Sequence, residues 1–182
     1  MSIKNEIQPE KRTNQLKKGA AVDNSFEQQL MTIVTAGNDQ FGEYRGLGVS
    51  KITFKVTPKT SDGILIIENT FHEKGGPAKH FHYDQEEWFY VVEGDFLFEI
   101  GEERFKLLPG DSVLAPRKIP HVWAHTGNNL GRILIAFLPA GKMEAFFREV
   151  TKANAMPPLD PELWRLHGME LIGPPLLENN KV

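Results

Sequence analysis

The sequence predicts an all-β fold, a small antiparallel barrel or sandwich, with helices from the C-terminal part packed on its outside. From residue 51 to residue 138 the chain is a succession of short β-branched and aromatic runs separated by Gly, Pro and Asp, the pattern of such folds. After Pro139 the apolar spacing changes to that of a helix. A length of 182 residues suits one domain with a real core, and 40% hydrophobic with 25% charged residues is ordinary for a globular protein.

The stretch contains nine runs that are predicted as strands. They are Ile52–Val56, Ile64–Phe71, Ala78–His82, Trp88–Val92, Phe96–Ile100, Arg104–Leu107, Ser112–Ala115, His121–His125 and Arg132–Leu138. Gly94-Asp95 and Gly101-Glu102 each separate two of these runs, and such pairs are typical of tight hairpins because glycine adopts the required backbone conformation at low cost. We therefore expect the strands on either side of each pair to be antiparallel neighbours.

Two helices are expected after the strands. Apolar residues at helical spacing predict an amphipathic helix over Lys142–Ala153. A second helix of about two turns follows, because Asp160 suits the N-cap, Pro161 the first helical position and Gly168 the position just after the last turn. The segment Gly173–Leu177 contains adjacent prolines and is predicted as an extended strap.

The chain divides into three predicted parts: an N-terminal arm over residues 1–45, the barrel over residues 46–140, and C-terminal helices with an extended tail over residues 141–182. The first 22 residues are polar and contain too few apolar side chains to fold by themselves. Residues 25–35 have helical apolar spacing but also β-branched residues, so a helix and a strand both remain open there.

Composition narrows the classes of partner and compartment. The formal net charge of −3 and scattered Lys and Arg residues argue against nucleic-acid binding. The absence of cysteine excludes disulfides and thiolate ligands, so any metal must rest on nitrogen and oxygen atoms. Without an apolar leader or a long apolar run, the sequence predicts a cytoplasmic protein that does not enter a membrane. The polar arm beside a strand-rich edge predicts a homodimer in which the arm crosses to the other subunit.

The histidines are concentrated in the predicted barrel, where five of the six lie between residues 72 and 125. In a strand, residues i and i+2 point to the same face, so His80 and His82 present two imidazoles together. Glu87 opens another strand, and a divalent cation is one of the few partners that makes a buried carboxylate favourable. His121 begins a further strand and supplies a third imidazole. These four residues are candidate ligands of one divalent metal ion, and an ordinary surface His-x-His strand is the alternative.

Four more residues are expected near this site. Phe89 and Val91 have the same strand parity as Glu87 and would form, with Trp123, an apolar lining for the cavity. His125 lies on the same strand face as His121, and it is either a satisfied core histidine or a hydrogen-bond donor to a ligand; we favour the donor role over direct binding of the metal.

Two stretches resemble the motifs of a known family. Gly76–Glu87, followed by Gly94, resembles the first motif of the cupin family, and Gly110–Pro116, followed by His121, resembles the second. The resemblance covers about residues 50–140 and implies a cupin-type antiparallel β-barrel, also described as a double-stranded β-helix or jelly roll.

Carried over residue by residue, the family's metal site of three histidines and one glutamate falls on the four candidate ligands named above. Three positions depart from the family pattern. Lys74 and Lys118 stand where loop glycines are usual, and His125 replaces the asparagine that closes the second motif. The first two changes affect loops, whereas the third changes the expected surroundings of the metal.

The chain also resembles small single-domain cupins similar to quercetin dioxygenases, in residues 141–150 and 167–176. A divalent ion (Fe, Mn, Ni, Cu or Zn) with three neutral imidazoles and a carboxylate carries a net charge of +1 and, if octahedral, two open positions. We therefore expect a metal-dependent, dioxygenase-like oxidoreductase acting on a small phenolic or diketone-like molecule, with Glu87 as ligand and proton acceptor. A non-catalytic protein that binds metal and a small ligand, and a sugar isomerase or epimerase, are the alternatives.

Overall fold

The computed structural model describes residues 32–60 and 63–176, which form two antiparallel sheets and two short helices. The elements are β1 (Gly46–Leu47), β2 (Ser50–Val56), β3 (Leu65–Phe71), β4 (Ala78–His82), β5 (Glu86–Glu93), β6 (Phe96–Ile100), β7 (Glu103–Leu107), β8 (Ser112–Ala115), β9 (His121–His125), β10 (Gly131–Leu138), α1 (Met143–Val150), α2 (Pro161–Leu166) and β11 (Met169–Pro175). The expected strands are all present, with β1 and β11 in addition. The expectations for residues 1–31 and for Leu177 fall outside the described residues.

The strands are divided between a first sheet, in the order β1-β2-β3-β10-β5-β8, and a second sheet, in the order β11-β4-β9-β6-β7. The strand pairs are antiparallel. The sheets pack face to face, because ring contacts such as Phe71 with Trp123 and Phe89 with Phe98 join them. This jelly roll confirms the predicted fold class. Within the described residues, the two sheets remain separate and are not joined edge to edge into one closed barrel.

Aromatic side chains from both sheets fill the interior. The Trp123 ring lies 5.5 Å from that of Phe71, 5.8 Å from that of Phe89 and 6.1 Å from that of Phe98. Phe89 and Phe98 are fully buried, and each such ring stabilises the fold by roughly 1.5–3 kcal/mol relative to an exposed one. This packing holds the inward-facing residues of β5 and β9 at a fixed distance from each other.

The two glycine turns behave differently. Gly101 makes the expected hairpin, since Ile100 pairs with Glu103 across it and Gly101 has a φ of +60°. The turn at Gly94 leads from β5 in the first sheet to β6 in the second, so the prediction that these strands pair was wrong. A Cβ at Gly94 would lie 2.8 Å from the backbone oxygen of Leu130, so the glycine permits a close approach between loops in addition to its φ of +82°.

The two helices follow the strands, as predicted. Helix α1 is shorter than expected, and its buried residues are Met143, Phe146, Phe147 and Val150. Asp160 caps α2, because its side chain accepts hydrogen bonds from the backbone N–H groups of Glu162 and Leu163 at 3.0 and 3.2 Å. Pro161 begins the helix, and Gly168 follows it with a φ of +86°. Neither helix, in the part of the chain that the structure describes, has the length and apolar character needed to cross a membrane.

Candidate metal centre

Four buried residues converge at one end of the interior. Ligand atoms of His80, His82, Glu87 and His121 all lie within 4.8 Å of one another. Glu87 is central, since its Oε2 atom is 2.9 Å from His121 Nε2, 3.2 Å from His82 Nε2 and 3.9 Å from His80 Nε2. The structure therefore brings together the four residues that the sequence predicted as ligands.

The sheet topology explains the convergence. Strands β4 and β9 are neighbours in the second sheet, and His80 is the register partner of His121. His82 lies two residues after His80, on the same face of β4. Glu87 comes from β5 in the opposite sheet, which faces β4 and β9 across the interior. Three imidazoles from one wall and a carboxylate from the other thus meet between the sheets.

Each imidazole is oriented through its other ring nitrogen. His80 Nδ1 lies 2.7 Å from the carbonyl oxygen of Ala78, and His121 Nδ1 lies 3.1 Å from that of Ile119. A carbonyl oxygen can only accept, so each Nδ1 carries the proton and donates it. In a neutral ring with its proton on Nδ1, the Nε2 atom carries a lone pair. In both histidines this Nε2 atom faces Glu87.

The tautomer of His82 is set by a side chain. His82 Nδ1 lies 3.0 Å from Gln85 Oε1, while Gln85 Nε2 donates to the carbonyl oxygens of Pro139 and Ala140 at 2.8 and 2.6 Å. These two acceptors determine which end of the Gln85 amide faces His82. The oxygen therefore receives the Nδ1 proton, and the His82 Nε2 lone pair also faces the carboxylate.

Burial and mutual charge decide the protonation of the cluster. Burial lowers the pKa of His80 to about 3, and the nearby His121 adds to the effect, so the His80 ring is neutral at ordinary pH. Burial by itself raises the pKa of Glu87, but hydrogen bonds from His121 and His82 outweigh it and hold that pKa below its usual range. With His82 and His121 already protonated at Nδ1, those bonds to Glu87 require a second proton on each ring.

The donor set fits a divalent metal ion. Three imidazole lone pairs and a carboxylate form a cluster of acceptors that lacks a donor unless extra protons are added. A divalent cation supplies the missing positive charge, and His with one carboxylate is a normal ligand set for Fe, Mn, Ni, Cu or Zn. The carbonyl and amide partners on Nδ1 are the usual support for metal-binding histidines.

The loop before His121 tolerates one of the departures from the family pattern. Lys118, which stands where a glycine is usual, has a φ of +64°, the left-handed conformation that glycine adopts most easily. Its backbone N–H donates to the carbonyl oxygen of His82 at 2.7 Å. This bond ties the loop that carries His121 to the strand that carries His82.

A cavity of about 270 Å³ lies beside the cluster and is lined in part by His80, His82 and Glu87. Most of its wall is apolar and comes from both sheets, both helices and the segment of residues 156–159. The Trp164 ring of α2 packs 5.0 Å from the His80 ring and 5.1 Å from the Phe146 ring. The C-terminal part of the chain therefore covers the site.

The residues expected around the ligands have different positions. Trp123 lines the cavity, whereas Phe89 and Val91 are fully buried in the core and are not part of the cavity wall. Phe89 still packs 6.4 Å from the ring of His121. Val91 is four residues along the strand from Glu87, so the cavity beside Glu87 does not extend to it.

The structure places His125 away from the four candidate ligands, with the contacts of a core histidine. Its Nδ1 donates to the backbone oxygen of Glu73 at 3.2 Å, and its ring packs on Phe71 and Phe96. His125 and His121 share a strand face, but four residues of strand separate them by about 13 Å. His125 occupies a niche so narrow that a Cβ on Gly131 would lie 2.4 Å from its ring.

Sequence reasoning missed two residues. Gln85 orients His82 through carbonyl groups more than 50 positions away, and the sequence contains no signal for that contact. Asn69 lines the cavity, and its signal was present: it lies at an inward position of β3 between the apolar residues Ile67 and Phe71. A polar residue in an otherwise apolar alternation is a reason to suspect a site.

Comparison with known proteins relates the central part of the chain to a known family. Residues 69–137 match the family model described as the cupin domain. An uncharacterized protein of Methanocaldococcus jannaschii is 37% identical over 60 residues, which cover 33% of this chain and 48%, about half, of that protein. KdgF from Halomonas sp. is 22% identical, with 53% of this chain and 87% of that chain covered and a TM-score of 0.47. An RmlC-like cupin from Shewanella frigidimarina is 23% identical, with 56% and 87% covered and a TM-score of 0.47. The matched residues contain the whole cluster, and this part of the chain is a domain of the cupin superfamily.

Proposed function

We propose that this protein binds one divalent metal ion through His80, His82, Glu87 and His121 and acts as a dioxygenase-like oxidoreductase on a small organic molecule. One observation supports the metal above all others. The hydrogen bonds on the Nδ1 atoms turn three Nε2 lone pairs toward a single carboxylate. Such a concentration of buried acceptors is unfavourable without a cation.

A bound metal ion would act as a Lewis acid toward an oxygen atom of the substrate and, if it is redox-active, would take part in electron transfer. The protein's own residues supply the surroundings. The apolar wall of the cavity would limit the access of water, and the Trp164 ring covers His80. Glu87 is the carboxylate within the cavity wall, so it is the group that would accept a proton from a substrate hydroxyl.

The test begins with elemental analysis of freshly purified protein, followed by metal removal and reloading. We expect about one divalent ion per chain, lost in His121→Ala and retained in His72→Ala, whose side chain is exposed and outside the cluster. Oxygen uptake is then measured with small phenols and diketones after anaerobic loading with Fe, Mn, Ni or Cu. Equal metal content in the two variants would refute the metal site, whereas metal binding with no turnover for any redox metal would favour the non-catalytic alternative.

The proposed homodimer is tested separately. The arm that would cross to the other subunit falls mostly on residues outside the described ranges. Light scattering at micromolar concentration is expected to give twice the chain mass of 20.6 kDa, and a monodisperse monomer would contradict this.

A further inference from the structure

Two buried polar atoms of the cavity-lining residues have no partner. Trp123 Nε1 and Asn69 Oδ1 form no hydrogen bond, although Trp123 is 3% and Asn69 6% exposed. Both residues line the cavity beside the metal cluster. A buried polar atom without a partner costs about 1–3 kcal/mol, and most such atoms in folded proteins are paired. These two atoms are therefore candidates for bonds to a ligand.

Packing does not explain Asn69. Its register partners on the neighbouring strands are Ile52 and Ile133, both fully buried. A leucine at this position would match its neighbours and leave no unpaired oxygen. The unpaired oxygen of Asn69 thus lowers the stability of the fold, and core packing does not require it. Such a loss of stability is expected where a residue serves in binding.

Charge restricts what the cavity can hold. Among the described residues that form its wall there is no Lys or Arg, and Glu87 is the one acidic side chain. Phosphate and carboxylate groups are usually bound by Arg or Lys, which this wall does not supply. The hydroxyl of Ser50, also in the wall, already donates to the Leu47 carbonyl at 3.0 Å. A sugar, with many hydroxyl groups, would leave most of them unpaired against this surface.

Size restricts the ligand further. A cavity of about 150 Å³ holds benzene, so the volume here of about 270 Å³ suits roughly 11 non-hydrogen atoms. A bicyclic phenol or the enol form of a short diketone fits within this limit.

We infer that the substrate is an uncharged, mainly apolar molecule of up to about 11 non-hydrogen atoms that accepts a hydrogen bond from the indole N–H of Trp123 and donates one to the side-chain oxygen of Asn69. This inference rests on the proposed function, because it concerns the same cavity, whose wall contains His80, His82 and Glu87. It adds the chemical class and two residues that discriminate it. A sugar phosphate isomerase would need Arg or Lys side chains in the cavity wall to bind the phosphate.

The experiment measures binding to the metal-free protein, so its outcome is independent of whether a metal is bound or turned over. The probes are 2-naphthol, naphthalene and fructose 6-phosphate, with dissociation constants from calorimetry or fluorescence titration. The key quantity is the hydroxyl preference, the ratio of the naphthalene to the 2-naphthol dissociation constant. We expect both aromatic probes to bind, 2-naphthol more tightly, and fructose 6-phosphate not to bind at millimolar concentration.

Three variants test whether Trp123 and Asn69 cause the hydroxyl preference. Trp123→Phe and Asn69→Leu each remove one unpaired atom, and each is expected to lower the hydroxyl preference about 2- to 12-fold, the range of one neutral hydrogen bond. Trp88→Phe is the matched control, because Trp88 has the outward parity of β5 and does not line the cavity, so its preference should equal that of the wild type. Asn69→Leu is also expected to raise the midpoint of thermal unfolding by about 2–4 °C, since an unpaired polar atom is removed. A residue with a merely structural role would not combine a gain in stability with a loss of binding.

Several results would overturn the inference. An unchanged hydroxyl preference in either Trp123→Phe or Asn69→Leu removes that residue from the site. No binding of either aromatic probe, or tighter binding of fructose 6-phosphate, refutes the proposed substrate class. If the metal site fails in its own test but 2-naphthol binding depends on Trp123 and Asn69, the cavity is a ligand site without metal chemistry.

Discussion

Replacement of Gln85 by leucine tests whether support from behind a histidine determines metal affinity. In the wild type, the Gln85 amide accepts the proton of His82 Nδ1 and donates to the carbonyl oxygens of Pro139 and Ala140. Leucine is similar in size but makes none of these bonds. The His82 ring is then free to rotate or to change tautomer, and its Nε2 lone pair is no longer directed at the cluster.

The expected magnitude follows from these bonds. Loss of the partner of a metal-binding histidine typically weakens metal affinity about 10- to 100-fold. That corresponds to about 1.4–2.8 kcal/mol of binding free energy. The two carbonyl groups lose their donor as well, which should lower the free energy of unfolding of the metal-free protein by about 2 kcal/mol.

Gln85→Glu separates the two effects. A carboxylate still accepts the Nδ1 proton of His82 but cannot donate to Pro139 or Ala140. This variant should keep metal affinity within about 3-fold of the wild type, because the orientation of His82 is preserved, while it loses thermal stability. Glu86→Gln, at an outward strand position beside the cluster, should change neither quantity.

The assay is competition for Zn²⁺ or Mn²⁺ against a chelator of known affinity, with circular dichroism to show that each variant is folded. A folded Gln85→Leu protein whose affinity lies within about 2-fold of the wild type would contradict the argument, because the effect expected from such a partner is at least 10-fold. Equal losses of affinity in Gln85→Leu and Gln85→Glu would indicate that stability, and not the orientation of His82, controls binding.

Three further predictions follow from other parts of the structure. Glu87→Gln removes the one carboxylate of the cluster and should weaken metal binding by more than about 100-fold in the same assay, beyond the range for a supporting residue; an effect below 10-fold would contradict its role as ligand. Gly131→Ala would place a Cβ 2.4 Å from the His125 ring and should lower the unfolding free energy, measured by denaturant titration, by about 1–3 kcal/mol. Adding His125→Ala should recover part of this loss. Purely additive effects of the two substitutions would argue against the clash. Asp39→Asn should lower the unfolding free energy by about 1.5–3 kcal/mol at pH 7, because the carboxylate accepts bonds from Arg45 and from backbone N–H groups. Burial opposes ionisation of Asp39, but these bonds hold its pKa below the ordinary value of 3.8. The stabilisation from these bonds is therefore present above that pH and is lost as the pH falls below it. The difference in unfolding free energy between variant and wild type should shrink on acidification. A difference that persists unchanged at pH 2 would refute this reasoning.

The sequence was sufficient for features that depend on local geometry. The period of two in strands placed His80 and His82 on one face, and the capping preferences of Asp160 and Pro161 predicted the start of α2. The hairpin at Gly101 was predictable for the same reason, since its conformation is set by two or three adjacent residues.

Local geometry was insufficient where the chain changes sheets. The turn at Gly94 has the same sequence character as that at Gly101, but it connects β5 and β6 in different sheets. His125 has the correct parity to face the ligands and still lies too far along its strand. The alternation of side chains along a strand determines which face of the sheet a residue occupies. Its distance along the strand from the ligands depends on where the paired strands begin.

The sequence alone was sufficient for nine of the eleven described strands, for their inward-facing residues and for the four candidate ligands, because these follow from the alternation of side chains within short segments. The tertiary structure was needed for the sheet order, for the bonds from Gln85 to the carbonyl oxygens of Pro139 and Ala140, and for the cavity whose wall includes Asn69 and Trp123. Those features join residues that are tens of positions apart, and their distances are set by strand register and by the packing of one sheet on the other. No pattern within a single segment contains that information.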